Sequence, residues 1–122
     1  MEASCKKQLS IAAARIRMDV IEGTFRAKSG HPGGSLSIAD TLAYLYFKMK
    51  VDPANPKWEA RDRFVLSKGH AAPALYGALA QKGYFPEAEI QSLRHVGAIL
   101  QGHPDMKGIP GVDMSTGSLG QG

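Results

Sequence analysis

The chain of 122 residues is 43% hydrophobic and 21% charged, a composition typical of a folded domain and not of a disordered segment. Its 15 basic and 11 acidic residues leave a net charge of +4 with no basic run longer than Lys6-Lys7, which disfavours nucleic-acid binding and suits a small anionic ligand such as a phosphate. The single cysteine, Cys5, excludes an intrachain disulfide framework, and we expect a reduced cytoplasmic protein. No apolar stretch is long enough to cross a membrane.

The first predicted element is a long amphipathic helix over residues 4 to about 27. Its apolar positions recur at helical spacing: Leu9, Ala13, Ile16 and Val20. Ser29-Gly30 ends this helix and begins a hexapeptide, residues 29–34, in which three glycines surround one proline and one histidine. Because Pro32 fixes its own φ angle and restricts the residue before it, we expect this turn to hold the His31 imidazole in one direction.

A second helix is predicted from about residue 38 to 50. Ser37, followed by Asp40 three positions later, resembles a capping box at its start. The unpaired backbone N–H groups at this N-terminus are expected to face the same region as the preceding glycine turn. Pro53 and Pro56 then predict a loop.

The only predicted strand covers residues 63–67, which are apolar in the middle and flanked by charge, as in a buried parallel strand. The Lys68-Gly69-His70 loop follows it and leads into a helix from residue 73 until Gly83. A strand, a glycine-containing loop and a helix in this order place ligands at the carboxyl end of the strand in open α/β sheets. A further helix is predicted over residues 86 to about 93.

Three of the four histidines directly follow a glycine and lie in predicted loops: His31, His70 and His103. The last of them falls in a glycine- and proline-rich stretch from Gly97 onward, which indicates a ligand-contacting loop. Imidazoles exchange protons with sugar hydroxyls and carbonyls near neutral pH, so we expect the three to share one pocket. The alternatives are a structural role for each histidine and a His₃ zinc site, although no pair has the short i, i+4 spacing of zincins.

Three ordered segments resemble the amino-terminal part of transketolases, especially those made as two subunits. They are SGHPGG at 29–34, SKGHAAPALYGAL at 67–79, and GHPD running into STGSLGQG at 103–122. The resemblance covers the chain from about residue 8. It implies an α/β fold, namely a partial thiamine-diphosphate-binding, Rossmann-like fold with a parallel sheet that is helix-rich here, so that residues 1–122 are an incomplete N-terminal portion of that domain.

The resemblance also implies roles for the matching residues. His31 and His103 are expected to be catalytic and to bind the sugar substrate, the first near its reactive carbon and the second at its hydroxyl end. His70 is expected beside the thiamine diphosphate, and the turn Gly117-Ser118-Leu119 is expected to hold that cofactor with backbone groups and an apolar wall. Ser118 stands where many single-chain relatives have proline, which loosens the turn and leaves its backbone contacts in place.

The function that this resemblance implies is transfer of a two-carbon ketol unit from a ketose phosphate to an aldose phosphate with thiamine diphosphate. The family's Mg²⁺ ligands, a GDG motif and a downstream asparagine, would follow residue 122, and the activating glutamate comes from another domain or subunit. We therefore expect no turnover by this chain alone. A C-terminal transketolase subunit is the expected partner, together with self-association, because a single strand leaves sheet edges open. The alternative is a non-catalytic interaction or regulatory fragment that keeps the fold.

Overall fold

A computed structural model describes residues 1–120, and the regular structure in that range is helical. Its α-helices are α1 (Ala3–Ala27), α2 (Pro32–Leu36), α3 (Ala39–Lys48) and α4 (Ala72–Lys82). Two 3₁₀ segments cover Gly69–Ala71 and Glu87–Ser92. Among residues 1–120, no helix has both the length and the apolar character needed to cross a membrane.

The long first helix that the sequence predicts is confirmed as α1. It ends where Lys28 turns into the left-handed region, with φ of 52°, and the Lys28 N–H donates to the Phe25 carbonyl. The buried face of α1 includes Ile16 and Val20, which are 1% and 0% exposed. This face packs against α3 and α4 and forms one side of the hydrophobic core.

The helix α4 lies at the centre of the core. Residues 72–79 are all buried, because this stretch is apolar around nearly its whole circumference and a helix of that kind is stable only inside a protein. It ends as predicted at Gly83, whose φ of 102° suits glycine. The Tyr76 hydroxyl donates a 2.6 Å hydrogen bond to the Gln101 carbonyl and so ties the glycine-rich C-terminal segment to the core.

Several local predictions are corrected by the structure. The capping box is wrong: the Ser37 hydroxyl donates to the Gly34 carbonyl at 2.8 Å, and Asp40 forms an ion pair with Arg17. The helix expected over residues 86–93 is the second 3₁₀ segment, Glu87–Ser92. The short helix α2, in the segment where the sequence predicts a glycine turn, was not anticipated.

The segment predicted as a parallel strand, residues 63–67, does not form one within residues 1–120. A strand is defined by its hydrogen-bond ladder to a neighbour, and the described part of the chain contains no second strand to supply one. Instead, the Phe64 N–H donates to the Asp113 carboxylate at 2.8 Å, and the Arg61 Nε donates to the same side chain at 3.0 Å. This contact holds the segment against the C-terminal loop, and the predicted sheet is not confirmed here.

One carboxylate lies inside the helical core. Asp19 is 4% exposed, and its Oδ2 accepts a 2.9 Å hydrogen bond from the Gln81 side chain, which also donates to Glu87. Burial raises the pKa of Asp19 to about 6, against the opposing effect of the Gln81 hydrogen bond, and the nearby charges of Glu87 and Glu22 raise it further.

Removing the charge of Asp19 is expected to stabilise the chain at neutral pH. Because its pKa rises on folding from 3.8 to about 6, the folded state binds the proton more tightly, and stability falls as the pH rises through this range. We expect Asp19→Asn to raise the free energy of unfolding at pH 7 by about 2 kcal/mol and to flatten its pH dependence between pH 4 and 6. Urea unfolding at pH 4 and pH 7 measures both effects. If the free energy of unfolding changes with pH as much in Asp19→Asn as in the unchanged chain, the raised pKa of Asp19 would be contradicted.

Candidate functional site

The three histidines that follow a glycine lie side by side. The ring centroid of His70 is 4.9 Å from that of His31 and 4.9 Å from that of His103, with the ring planes at 76° and 90°. We call these three residues the histidine row. His95, the fourth histidine, is exposed in the turn that follows the second 3₁₀ segment. The structure thus brings together residues that are 39 and 33 positions apart in sequence.

His31 is placed by the turn between α1 and α2. Gly30 has a φ of 133°, and a Cβ there would lie 2.7 Å from the Thr24 side chain, so only glycine fits. His31 itself is the N-cap residue of α2, and its carbonyl accepts the Ser35 N–H at 3.1 Å. Pro32 occupies the first position of α2, where a missing N–H leaves no bond unmade.

His70 and His103 are brought together by two glycines. A Cβ on Gly69 would lie 2.7 Å from both the Cα and the N of Gly117, so the His70 loop touches the backbone of the C-terminal turn directly. Gly117 has a φ of 143°, and a Cβ there would lie 2.7 Å from the His103 ring. The His70 loop, the C-terminal turn and the His103 ring therefore pack at distances that a larger residue at either glycine would prevent.

Three polar side-chain atoms of this region are buried without a partner in the described residues. They are Nδ1 of His70, the hydroxyl of Thr116 and the hydroxyl of Ser35 in α2. Leaving such a group unsatisfied costs roughly 1–3 kcal/mol, and in folded proteins water or a ligand usually supplies the missing bond. The site therefore offers hydrogen-bonding positions that a polar ligand can use.

A cavity of about 650 Å³ opens beside the histidine row, within the usual size range of small-molecule sites. Its lining consists of Val65, Ser67, His103, Ser115, Thr116, Gly117 and Ser118. A second cavity, of about 170 Å³ between α1, α3 and α4, is lined mainly by apolar side chains and contains no histidine. The larger cavity is therefore the candidate site.

The predicted site residues differ in their position relative to this cavity. His103, Gly117 and Ser118 line it, whereas His70 and His31 are not among the lining residues. Leu119 is 62% exposed and stands outside the lining. Gln121 and Gly122, the end of the predicted glycine turn, lie outside the described residues.

Three hydroxyl residues that line this cavity have no role in the sequence interpretation: Ser67, Ser115 and Thr116. All three belong to the segments that resemble transketolases, and each lies within two residues of a predicted site residue or loop, which is the signal that could have singled them out. Among residues 1–120, no three His, Cys, Asp or Glu side chains are grouped so that they could hold a metal ion. Within the described residues, the three histidines are therefore in contact through their rings without the grouping that a metal site needs.

Comparison with known proteins identifies the family. Residues 7–122 match the family described as transketolase, thiamine diphosphate binding domain. The 6-deoxy-6-sulfo-D-fructose transketolase subunit SqwG of a Clostridium species (strain MSTE9) is 56% identical over 108 residues, covering 88% of this chain and 39% of that protein. An apulose-4-phosphate transketolase subunit from Phocaeicola vulgatus is 43% identical over 115 residues, covering 93% of this chain and 41% of that protein.

Solved structures of transketolases are similar to this chain as well. The R525L mutant of transketolase from Pichia stipitis superposes with a TM-score of 0.89 at 38% identity, covering 93% of this chain and 17% of that one. The chain therefore spans about two fifths of the two bacterial relatives and about a sixth of the crystallised transketolase. The resemblance inferred from the three sequence segments is confirmed, as is an α/β thiamine-diphosphate-binding class at the level of its structural relatives. The chain belongs to the transketolase family, matched there to the thiamine diphosphate binding domain.

Proposed function

We propose that this chain supplies the thiamine-diphosphate-binding part of an enzyme that transfers a two-carbon ketol unit from a ketose to an aldose. The observation that carries the proposal is the histidine row beside the glycine turn of residues 117–119, because ketol transfer moves several protons between hydroxyls and nearby bases. Family membership supports the reaction class and the cofactor.

The proposed substrates are anionic sugars. A relative at 56% identity is named for 6-deoxy-6-sulfo-D-fructose, another for apulose-4-phosphate, and one crystallised transketolase is a complex with sedoheptulose-7-phosphate. All three names carry a sulfonate or phosphate group. The net charge of +4 supports such a ligand for this chain as well.

Thiamine diphosphate fits the residues that are present. The buried and unpartnered Nδ1 of His70 and hydroxyl of Thr116 supply polar positions for it, and the contact of Gly69 with Gly117 leaves backbone free of side chains for close approach. Leu119, exposed at the end of the same turn, supplies an apolar surface. When bound, the cofactor supplies the electron sink that lets a carbon–carbon bond of the ketose break.

The two outer imidazoles of the row are assigned to proton transfer. His103 lines the cavity and is exposed, so we assign it to a hydroxyl of the bound sugar. His31 is exposed at the other end of the row and is assigned to a proton near the reacting carbon. His70 lies between them and is assigned to the cofactor, whose position it fixes relative to both.

The remaining parts of the proposal concern groups outside this site. Mg²⁺ is assigned to ligands in another part of the enzyme. A C-terminal transketolase subunit is the proposed partner, supported by two relatives that are themselves named as subunits. Self-association is supported by the exposed apolar side chains on one face of α1, where Met18, Ile21 and Phe25 are 68%, 53% and 78% exposed.

With Cys5 as its one cysteine, a reduced cytoplasmic setting is proposed. The sheet of the family fold is proposed to form when residues 63–67 meet the rest of the domain.

Reconstitution tests this function. The chain is grafted in place of the matching segment of the Clostridium protein, combined with the partner subunit, thiamine diphosphate and Mg²⁺, and assayed for ketol transfer from ketose phosphates and sulfonates. We expect turnover by the graft and none by the 122-residue chain alone. His31→Ala and His103→Ala should each lower kcat/KM by about 10²- to 10⁴-fold, and His95→Ala should leave it unchanged. A graft that assembles and binds the cofactor without transferring a ketol unit would support the non-catalytic alternative instead.

A further inference from the structure

We propose that Lys68 is a positioning residue that holds the His31 turn against the His70 loop. Its ammonium Nζ donates to the Gly34 carbonyl at 2.9 Å and to the Ser37 hydroxyl at 3.1 Å. Gly34 lies three residues after His31, and Lys68 lies two residues before His70. The side chain therefore joins the two backbone segments whose imidazoles are in contact.

The His31 segment is short and rich in glycine, so a hydrogen bond from outside the segment adds to the packing that fixes it. The helix α2 has five residues, too few to be stable without tertiary contacts. A Cβ on Gly33 or Gly34 would meet no atom within 4 Å, so the middle of α2 makes no side-chain packing contact of its own. The segment packs through Gly30 against Thr24, through the fully buried Ser35 and through the half-buried Leu36.

The chemistry of the contact suits a lysine at the end of a helix. The Gly34 carbonyl belongs to the last turn of α2, where carbonyls have no partner inside the helix, and it accepts from both Lys68 and the Ser37 hydroxyl. A cation at this end also complements the helix dipole, and hydrogen bonds from an ammonium are stronger than neutral ones. The three groups bond to one another, and among the hydrogen bonds of residues 1–120 those of the Lys68 ammonium are the ones that join α2 and Ser37 to the His70 loop.

The consequence for the reaction rests on the proposed function. The ring contact between His31 and His70 sets where the His31 imidazole stands relative to His70, and so relative to the cofactor to which His70 is assigned. A displacement of about 1 Å in such a group can slow a reaction roughly 100-fold without changing ligand affinity. Lys68 is thus inferred to act through His31, and its loss should lower kcat while leaving thiamine diphosphate affinity near that of the unchanged protein.

The first test needs no cofactor and uses the 122-residue chain. NMR measures the nuclear Overhauser contact between the His31 and His70 rings, and hydrogen exchange measures the Ser35 and Ser37 amides. We expect Lys68→Met to lose the ring contact and to speed exchange at both amides about tenfold, while Lys68→Arg retains most of each. Lys107→Met, which removes the same charge from an exposed loop, is the matched control and should behave as the unchanged chain. An unaltered ring contact in Lys68→Met would overturn the proposal.

The second test uses the reconstituted graft. Lys68→Met should lower kcat by about 10- to 100-fold, with thiamine diphosphate affinity within about threefold. A cofactor affinity that falls tenfold or more at unchanged kcat would mean that Lys68 binds the cofactor directly, and the positioning role would be wrong. If the unsubstituted graft has no activity, the proposed function fails, whereas the ring contact and amide exchange still decide the role of Lys68.

Discussion

Gly69→Ala is expected to open the contact between the His70 loop and the C-terminal turn. It should lower the thiamine diphosphate affinity of the reconstituted enzyme about tenfold or more and the free energy of unfolding by about 1–3 kcal/mol. The new Cβ would lie 2.7 Å from Cα and N of Gly117 and 3.0 Å from the carbonyl carbon of Thr116. These are backbone atoms, which cannot rotate away as a flexible side chain can, so the two segments must separate. The contact between His70 and His103 is expected to be lost with them.

A glycine in the same site supplies the control for this prediction. A Cβ on Gly33 would meet no atom within 4 Å, and its backbone is helical, so Gly33→Ala should leave stability unchanged or raise it by about 0.4–1 kcal/mol. Urea unfolding and calorimetric titration with thiamine diphosphate and Mg²⁺ measure both variants. Equal behaviour of the two alanine variants would show that the Gly69 contact does not hold the site together.

Asp113→Ala is expected to lower the free energy of unfolding by about 3–5 kcal/mol. The Asp113 and Arg61 side chains form an ion pair at 3.0 Å and are 9% and 10% exposed, so removal of the carboxylate leaves a buried guanidinium without a counter-charge. The Phe64 N–H, which donates to the same carboxylate at 2.8 Å, also loses its acceptor. A loss of this size is a large part of the roughly 5–15 kcal/mol that typically stabilises a domain.

The matched control is the exposed pair of the same residue types. Asp40 and Arg17 form an ion pair at 2.9 Å, with side chains that are 77% and 40% exposed. Because solvent screens such a pair, Asp40→Ala should cost about 0–1 kcal/mol. Both variants are compared by urea unfolding at one pH and ionic strength. A cost for Asp113→Ala no greater than that for Asp40→Ala would refute the role assigned to the buried pair.

The elements that the sequence predicts correctly are those determined by local signals. The apolar periodicity of α1 and the glycine that ends α4 depend on neighbouring residues only, and both helices lie where these signals place them. The helix α2 was missed because Pro32, Gly33 and Gly34 are typical of turns, although proline also favours the first position of a helix. The capping box failed because the Ser37 hydroxyl donates to a carbonyl and does not accept from α3.

The predicted strand shows the limit of local signals most clearly. Residues 63–67 have the composition of a buried strand, but pairing depends on residues distant in sequence, which a propensity cannot supply. Within residues 1–120 the segment instead bonds through Phe64 to the Asp113 side chain, a contact that spans 49 positions and that no pattern in the sequence indicates.

The candidate site could be predicted in its members and not in its geometry. Glycine before each of three histidines singled them out, and the three rings lie side by side. Only His103 lines the cavity, so one pocket shared by all three stays a prediction. Their arrangement depends on the close approach of Gly69 to Gly117, which the spacing of glycines does not show. Leu119, His31 and His70 lie outside the cavity lining for the same reason: loop conformation, and not motif identity, decides which side chain faces the cavity.

Histidine NMR of the reconstituted enzyme tests the central claim most directly. With ¹⁵N-labelled imidazoles, titration with thiamine diphosphate and Mg²⁺ is predicted to shift the resonances of His31, His70 and His103 together at one ligand concentration, while the exposed His95 stays unchanged. Shifts at His95 alone, or at one member of the row without the other two, would contradict the proposal that the three imidazoles belong to one site built around the cofactor.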